Sequence, residues 1–116
     1  PVNMRALEMA DGALSFDMRL LQRPTKPVKL RMDCGYPCSG EMDITHVLQA
    51  ADRDAWQRVS FPMKCFAQLG VDSSKVNTPF LLATTGALSL EISEVVLAER
   101  PDDGPLMSCS ELIAGG

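Results

Sequence analysis

The sequence predicts an all-β domain, a jelly-roll-type antiparallel β-sandwich with one or two short helical turns. Three observations carry this. Apolar and polar residues alternate in several short runs, as in strands with one buried face. The runs are separated at short intervals by turns rich in Gly, Pro and Asp. Helical spacing is confined to short stretches of a turn or two.

The first strand is Ala13 to Leu21, "ALSFDMRLL", where Leu14, Phe16, Met18 and Leu20 alternate with Ser15, Asp17 and Arg19. Asp11-Gly12 before it is a turn signal. After the polar "QRPTKP", Val28, Leu30 and Met32 alternate with Lys29, Arg31 and Asp33. The spacing predicts two antiparallel strands joined by a polar loop. Ile44, Val47, Leu48 and Ala51 then fall at helical spacing behind Asp43, a suitable N-cap. "AWQRVSFP" is a further strand with Val59 and Phe61 on one face and Pro62 at its end. "MKCFAQLG" reads as a helical turn closed by Gly70. Phe80 to Thr84 and Ala87 to Ala98 flank Thr85-Gly86 and read as a hairpin. The step from Ile92 to Val95 breaks the alternation, which predicts a bulge near Ser93-Glu94. Residues 1–12 are expected to add an edge segment, and the tail "RPDDGPLMSCSELIAGG" to be loop-like.

The chain has 116 residues, 46% hydrophobic and 22% charged, enough for one domain with its own core. Its formal net charge is −4, and Lys and Arg are scattered singly. Phosphate neutralisation needs clustered cations, so nucleic acid is not an expected partner, nor is an anionic membrane surface. No apolar run approaches the ~20 residues that span a bilayer. The first residue is Pro1, not Met, and no signal-peptide pattern follows it, so the expectation is a processed chain or a piece of a longer one.

Four cysteines raise three readings. Redox catalysis favours two residues between the thiols at a helix start, whereas "CGYPC" has three and leaves a strand. Zinc would need Cys34, Cys38, His46 and either Cys65 or Cys109, at a spacing that matches no common zinc pattern. A local Cys34–Cys38 disulfide is favoured by the tight reversal at Gly35 and Pro37. Cys65 and Cys109 are a candidate second pair, the alternative being a buried Cys65 thiol. No metal or cofactor is expected.

His46, the single histidine, is expected to be exposed and inert, since no nucleophile elbow accompanies it. Glu41 and Asp43 flank the cysteine loop, and Asp52, Asp54, Asp102 and Asp103 fall in loops. None sits in an aromatic pocket of the kind that tunes a glycosidase carboxylate, so solvated loop charge is the expectation. Trp56 lies out of phase with Val59 and Phe61, and Tyr36 sits on the cysteine loop. Both are candidate carbohydrate contacts through ring stacking; the rival role for Trp56 is to cover an edge of the sandwich.

Taken in order, "ALSFDMRL", "PVKLRMDCGYPCSGEMDIT", "WQRVSFPMKCF" and "TPFLLATTGALSLEISEVVL" resemble the C-terminal β-sandwich domain of bacterial exo-1,3/1,4-β-glucanases and β-glucosidases of glycoside hydrolase family three. That domain is of the galactose-binding, jelly-roll class. The resemblance runs from about Pro1 to Glu99, which sets the expected domain at residues 1–99 and a tail at 100–116. It implies further strands upstream, catalytic carboxylates in upstream domains of the same enzyme, and none in this chain. It also implies a periplasmic or secreted parent from a Gram-negative bacterium.

The function expected is a non-catalytic accessory domain of a β-glucan-degrading exo-glycosidase. It would lend structural support and bind β-glucan oligosaccharides weakly. The alternative is a free-standing interaction or adhesion module. Missing strands would leave an unpaired edge open to dimerisation.

Overall fold

The computed structural model describes residues 3–98 and 108–114. Its elements in order are α1 (Arg5–Met9), β1 (Ala13–Gln22), β2 (Val28–Asp33), β3 (Ser39–Asp43), α2 (Thr45–Ala50), β4 (Trp56–Pro62), α3 (Met63–Gln68), β5 (Thr78–Thr84), β6 (Ser89–Ala98) and α4 (Cys109–Ala114). Among the described residues the strands form two antiparallel three-stranded sheets, ordered β4-β1-β6 and β3-β2-β5. The all-β sandwich expected from the alternation is what forms.

The two central strands build the core. Leu14, Phe16, Met18 and Leu20 of β1 and Val28, Leu30 and Met32 of β2 are buried, while Asp17, Arg19, Lys29, Arg31 and Asp33 face outward. A period of two places every second residue on one face, so each strand supplies one apolar and one polar surface. Phe16 packs on Phe61 of β4 with ring centroids 5.8 Å apart, and edge-on to Phe80 of β5 at 5.2 Å. The second contact crosses between the sheets.

Both expected hairpins are corrected. β1 and β2 lie in different sheets, and so do β5 and β6. β1 pairs with β4 and β6, while β2 pairs with β3 and β5. The connections are arches that carry the chain from one sheet to the other. The loop at residues 23–27 meets the loop at 85–88 through Thr25, whose N–H donates to the Ala87 carbonyl at 3.1 Å and whose hydroxyl accepts from the Ala87 N–H at 2.9 Å.

The bulge is present. Ser15 faces Val96 and Asp17 faces Ser93, so Glu94 and Val95 together oppose Phe16. Glu94 takes a φ of 55°. Three further elements differ from expectation. Residues 5–9 are helical, not an edge strand. Ser39–Asp43 forms a third strand on β2. The described part of the tail is a helix, anchored by buried Leu112. Residues 99–107 lie outside the described residues.

The termini of β2 and β3 show how local chemistry closes the fold. The Asp43 carboxylate accepts from the Thr45 N–H at 2.9 Å and from the Thr45 hydroxyl, holding the start of α2 from two residues before it; the N-cap itself is Ile44, not Asp43 as the spacing suggested. Lys29 Nζ lies 3.4 Å away. At the other end Cys34 and Cys38 are joined by a disulfide, and Cys65 of α3 is joined to Cys109 of α4. Gly70, at φ 111°, closes α3 as its position suggested.

Two outcomes follow. In the loop-entropy model a cross-link stabilises more the longer the chain segment it closes. The two bonds have sequence separations of 4 and 44. Replacing Cys65 and Cys109 together by Ser should therefore cost about 4 kcal/mol, and replacing Cys34 and Cys38 about 2 kcal/mol, read from urea midpoints of the two variants. The second outcome concerns Asp43. Burial alone would raise its carboxyl, but the Thr45 hydroxyl, the Thr45 N–H and Lys29 outweigh burial and hold it below the usual carboxylate range. A depressed acid stabilises the fold above its unfolded pKa, and that stability is lost as pH falls through the folded value. Asp43→Asn should cost about 1 kcal/mol at neutral pH, and urea titrations should show that difference shrinking once the pH drops below about 4.

Candidate functional site

β1 leaves its sheet at Gln22, where it pairs with Ser89, and β2 begins at Val28 opposite Thr84. Gln22, Val28, Thr84 and Ser89 therefore mark one end of the sandwich. Asp33 pairs with both Ser39 and Thr78 at the opposite end. This polarity separates the two aromatic candidates. Trp56 pairs with Arg19 towards the first end, whereas Tyr36 lies beyond Asp33 at the second.

Trp56 opens β4 with its side chain on the outer face of the β4-β1-β6 sheet, out of phase with the buried Val59 and Phe61. It is 50% exposed, and the Arg19 guanidinium carbon sits 5.3 Å from its ring centroid. Arg19 is oriented from the other side by Glu91 of β6. Its Nε donates to Glu91 Oε1 at 2.7 Å, and a terminal nitrogen donates to the same oxygen. The register makes this a row across all three strands, Trp56, Arg19, Glu91.

The adjacent row is Arg58, Asp17, Ser93. Arg58 Nε lies 3.5 Å from Asp17 Oδ1. Arg58 Nη1 is buried with no hydrogen-bond partner among the described residues. One row further on, the hydroxyls of Ser15 and Ser60 bond each other at 2.8 Å and are buried. The accessible part of this face is thus a patch of one aromatic ring, two guanidinium groups and two carboxylates. Such a patch offers an apolar ring face and charge-assisted donors and acceptors at neighbouring strand positions.

Tyr36 is 99% exposed on the loop closed by the Cys34–Cys38 bond. The loop is a tight reversal: the Cys38 N–H donates to the Gly35 carbonyl at 2.7 Å and the Cys34 N–H to the Cys38 carbonyl at 2.9 Å. Gly35 takes φ 88°, which a side chain would disfavour, and the Tyr36-Pro37 peptide is cis. Cys34 is buried, so the bond ties the exposed tip to the core.

The remaining candidates do not gather. All four sulfurs are paired in disulfides, which leaves no free thiolate for the zinc reading, and the Cys34–Cys38 pair closes a strand-to-strand reversal, not the helix start that redox pairs use. His46 is half-buried rather than exposed, because α2 packs onto the sandwich end, and its Nδ1 is buried without a hydrogen-bond partner among the described residues. Glu41 faces outward on β3, next to Arg31 in register. Asp43 bonds Thr45, the first residue of α2, a structural task. Asp52 and Asp54 are exposed in the loop before β4. Asp102 and Asp103 lie outside the described residues. Arg19 and Glu91, which position the ring of Trp56, were not singled out by sequence reasoning. Their link appears only when the β1–β6 register is known.

The environment of Trp56 predicts how little it supports the fold. Trp56→Ala should cost under about 1 kcal/mol, since the ring is half in solvent on an edge strand. Phe61→Ala, in the core, should cost about 3–5 kcal/mol. Urea denaturation of the two variants makes the comparison.

The patch lies on one sheet of a small sandwich built from two antiparallel three-stranded sheets, with a few short helices at its ends. No curated protein and no solved structure matches the chain. A family profile described as galactose-binding domain-like matches residues 1–97, nearly all of the β-sandwich, and the chain belongs to that family.

Proposed function

We propose that the chain is a non-catalytic carbohydrate-binding accessory module, with the outer face of the β4-β1-β6 sheet as its binding surface. The observation that carries this reading is the row Trp56, Arg19, Glu91: a half-exposed indole held against a guanidinium that a carboxylate orients. Sugar rings present an apolar C–H face to such an aromatic and hydroxyls to the charged groups around it. Membership of a galactose-binding domain-like family favours the same ligand class.

The parent is proposed to be an exo-acting β-glucosidase or β-glucanase of glycoside hydrolase family three, with catalysis in upstream domains of the same polypeptide. The sequence resemblance supports this, and the module would then hold β-glucan chains near that active site. Two disulfides fit an oxidising compartment, the periplasm or the exterior of a Gram-negative cell. Among the described residues no helix is long and apolar enough to cross a membrane. Tyr36, at the other end of the sandwich, stands outside the proposed surface.

Titration with cello- and laminari-oligosaccharides, followed by calorimetry and by the fluorescence of the single Trp, tests the reading. The expected result is weak binding with a change in Trp emission. Trp56→Ala should weaken it at least about tenfold, and Tyr36→Ala should leave it unchanged. Absence of binding by either probe would leave only structural support, and binding that survives Trp56→Ala would reject this surface.

A further inference from the structure

Among the described residues three that are not glycine take left-handed backbone: Asp11, Asp54 and Glu94. Asp11 stands at the turn into β1, and Glu94 belongs to the bulge of β6. Asp54, at φ 62°, stands two residues before Trp56. Asp and Asn visit this conformation more readily than other residues with a side chain, and a β-branched residue there is an outlier. Such a conformation persists where the surrounding structure holds it. The Asp54 side chain is not what holds it. It is exposed, and its one ion pair among the described residues, with Arg53, spans 4.0 Å.

What holds it is the backbone of β1. Arg53 bridges Leu20 in the parallel sense, and the Asp54 N–H donates to the Leu20 carbonyl at 2.8 Å. Trp56 then pairs with Arg19 in the antiparallel sense. The chain therefore runs along β1, reverses at Asp54 and Ala55, and returns as β4. Both arms of the reversal are seated on two adjacent residues of β1, Arg19 and Leu20. Trp56 is the first residue of the returning strand and makes the last pair of its register with β1. Among the described residues β4 has no other strand beside it. The last pair of such a strand frays unless something beyond it is held, and the reversal at Asp54 is what is held. Where the reversal ends decides where the indole leaves the backbone, and so whether it meets the Arg19 guanidinium.

We propose that Asp54 is a positioning residue for the Trp56 surface: its left-handed backbone and its N–H bond to Leu20 fix the start of β4 and thereby seat the indole on Arg19. The backbone acts, not the carboxylate. Its effect on affinity rests on the carbohydrate-binding reading of that surface, whereas the seat of the ring is a property of the free chain.

The chain has a single Trp, so its fluorescence reports this ring alone. Asp54→Pro removes the N–H and sets φ near about −65°. It should lower the Trp anisotropy of the free chain. It should also raise the dissociation constant for laminari- or cello-oligosaccharides about three- to tenfold, the effect of having to order a freed side chain on binding. If that variant does not fold, as read from far-UV circular dichroism, Asp54→Val takes its place, because it keeps the N–H and disfavours only the backbone conformation. Asp54→Gly and Asp54→Asn, which accept that conformation without the charge, should keep the wild-type anisotropy and affinity. A role confined to stability would move the urea midpoint and leave both readings in place. Unchanged anisotropy in the folded Pro or Val variant, a freed ring with unchanged affinity, or a Gly variant as impaired as the Pro variant would each overturn the proposal. If the wild-type chain binds no oligosaccharide, the carbohydrate reading falls, and the anisotropy series alone decides whether Asp54 seats the ring.

Discussion

The contact on which the structure depends is that of Phe16 with its two neighbouring rings. Phe16 lies in the middle of the central strand of one sheet, stacked on Phe61 beside it and set edge-on to Phe80 across the core. Those contacts fix the phase of β1. A shift of one residue would turn Asp17 and Arg19 inward and Phe16 and Met18 outward, burying charge without partners. The same phase sets Arg19 beside Trp56 and Glu91 on the outer face. The candidate surface is thus a by-product of core packing: no residue of it needs to be buried, yet its geometry follows from residues that are.

The two ends of the sandwich are built differently. At the end holding the cysteine loop, α3 carries Cys65 to Cys109 of α4, and Leu112 of α4 fills the core beneath. The short Cys34–Cys38 ring ties the β2–β3 reversal on the same end. The other end relies on hydrogen bonds: Thr25 with Ala87, Asp43 with Thr45, and the Arg23 guanidinium donating to the Gln49 and Ala51 carbonyls. Neither bond joins the two sheets: one closes the β2–β3 turn and the other ties α3 to α4, and Trp56 lies towards the opposite end.

What the sequence made legible follows from what periodicity encodes. Alternation in β1, β2 and β6 marked the strands and even the bulge, because a break in phase is itself visible in the residue pattern. Partners were not legible. The five residues at 23–27 and the turn at Thr85-Gly86 suit a hairpin as well as an arch, and both leave alternate residues facing the core. β3 was missed because Ser39, Gly40 and Glu41 have little strand propensity, and only Gly40 and Met42 face inward. α1 is only five residues long, and α4, though as long as α2 and α3, follows the Pro- and Gly-rich "RPDDGP" that reads as loop. Trp56 was picked out by its phase alone. Arg19 and Glu91 are 72 residues apart, and no local pattern joins them.

The charges on the two outer faces differ in what they orient. On the β3-β2-β5 sheet Arg31 bonds Asp33 on its own strand, and Lys29 bonds the Asp43 that already holds Thr45 at the start of α2. Those pairs satisfy one another and hold no aromatic ring. On the β4-β1-β6 sheet the Arg19–Glu91 pair ends on Trp56. Pairs as exposed as these contribute only about 0–1 kcal/mol to folding, so stability is a weak reason for that arrangement. Its larger effect is on order: a guanidinium tethered by a carboxylate and seated on an indole has lost much of its rotational freedom before any ligand arrives. Binding to a surface already ordered avoids part of the entropic cost of fixing long side chains. That is a physical ground for preferring the Trp56 face over the exposed ring of Tyr36, which has no cation–π contact among the described residues.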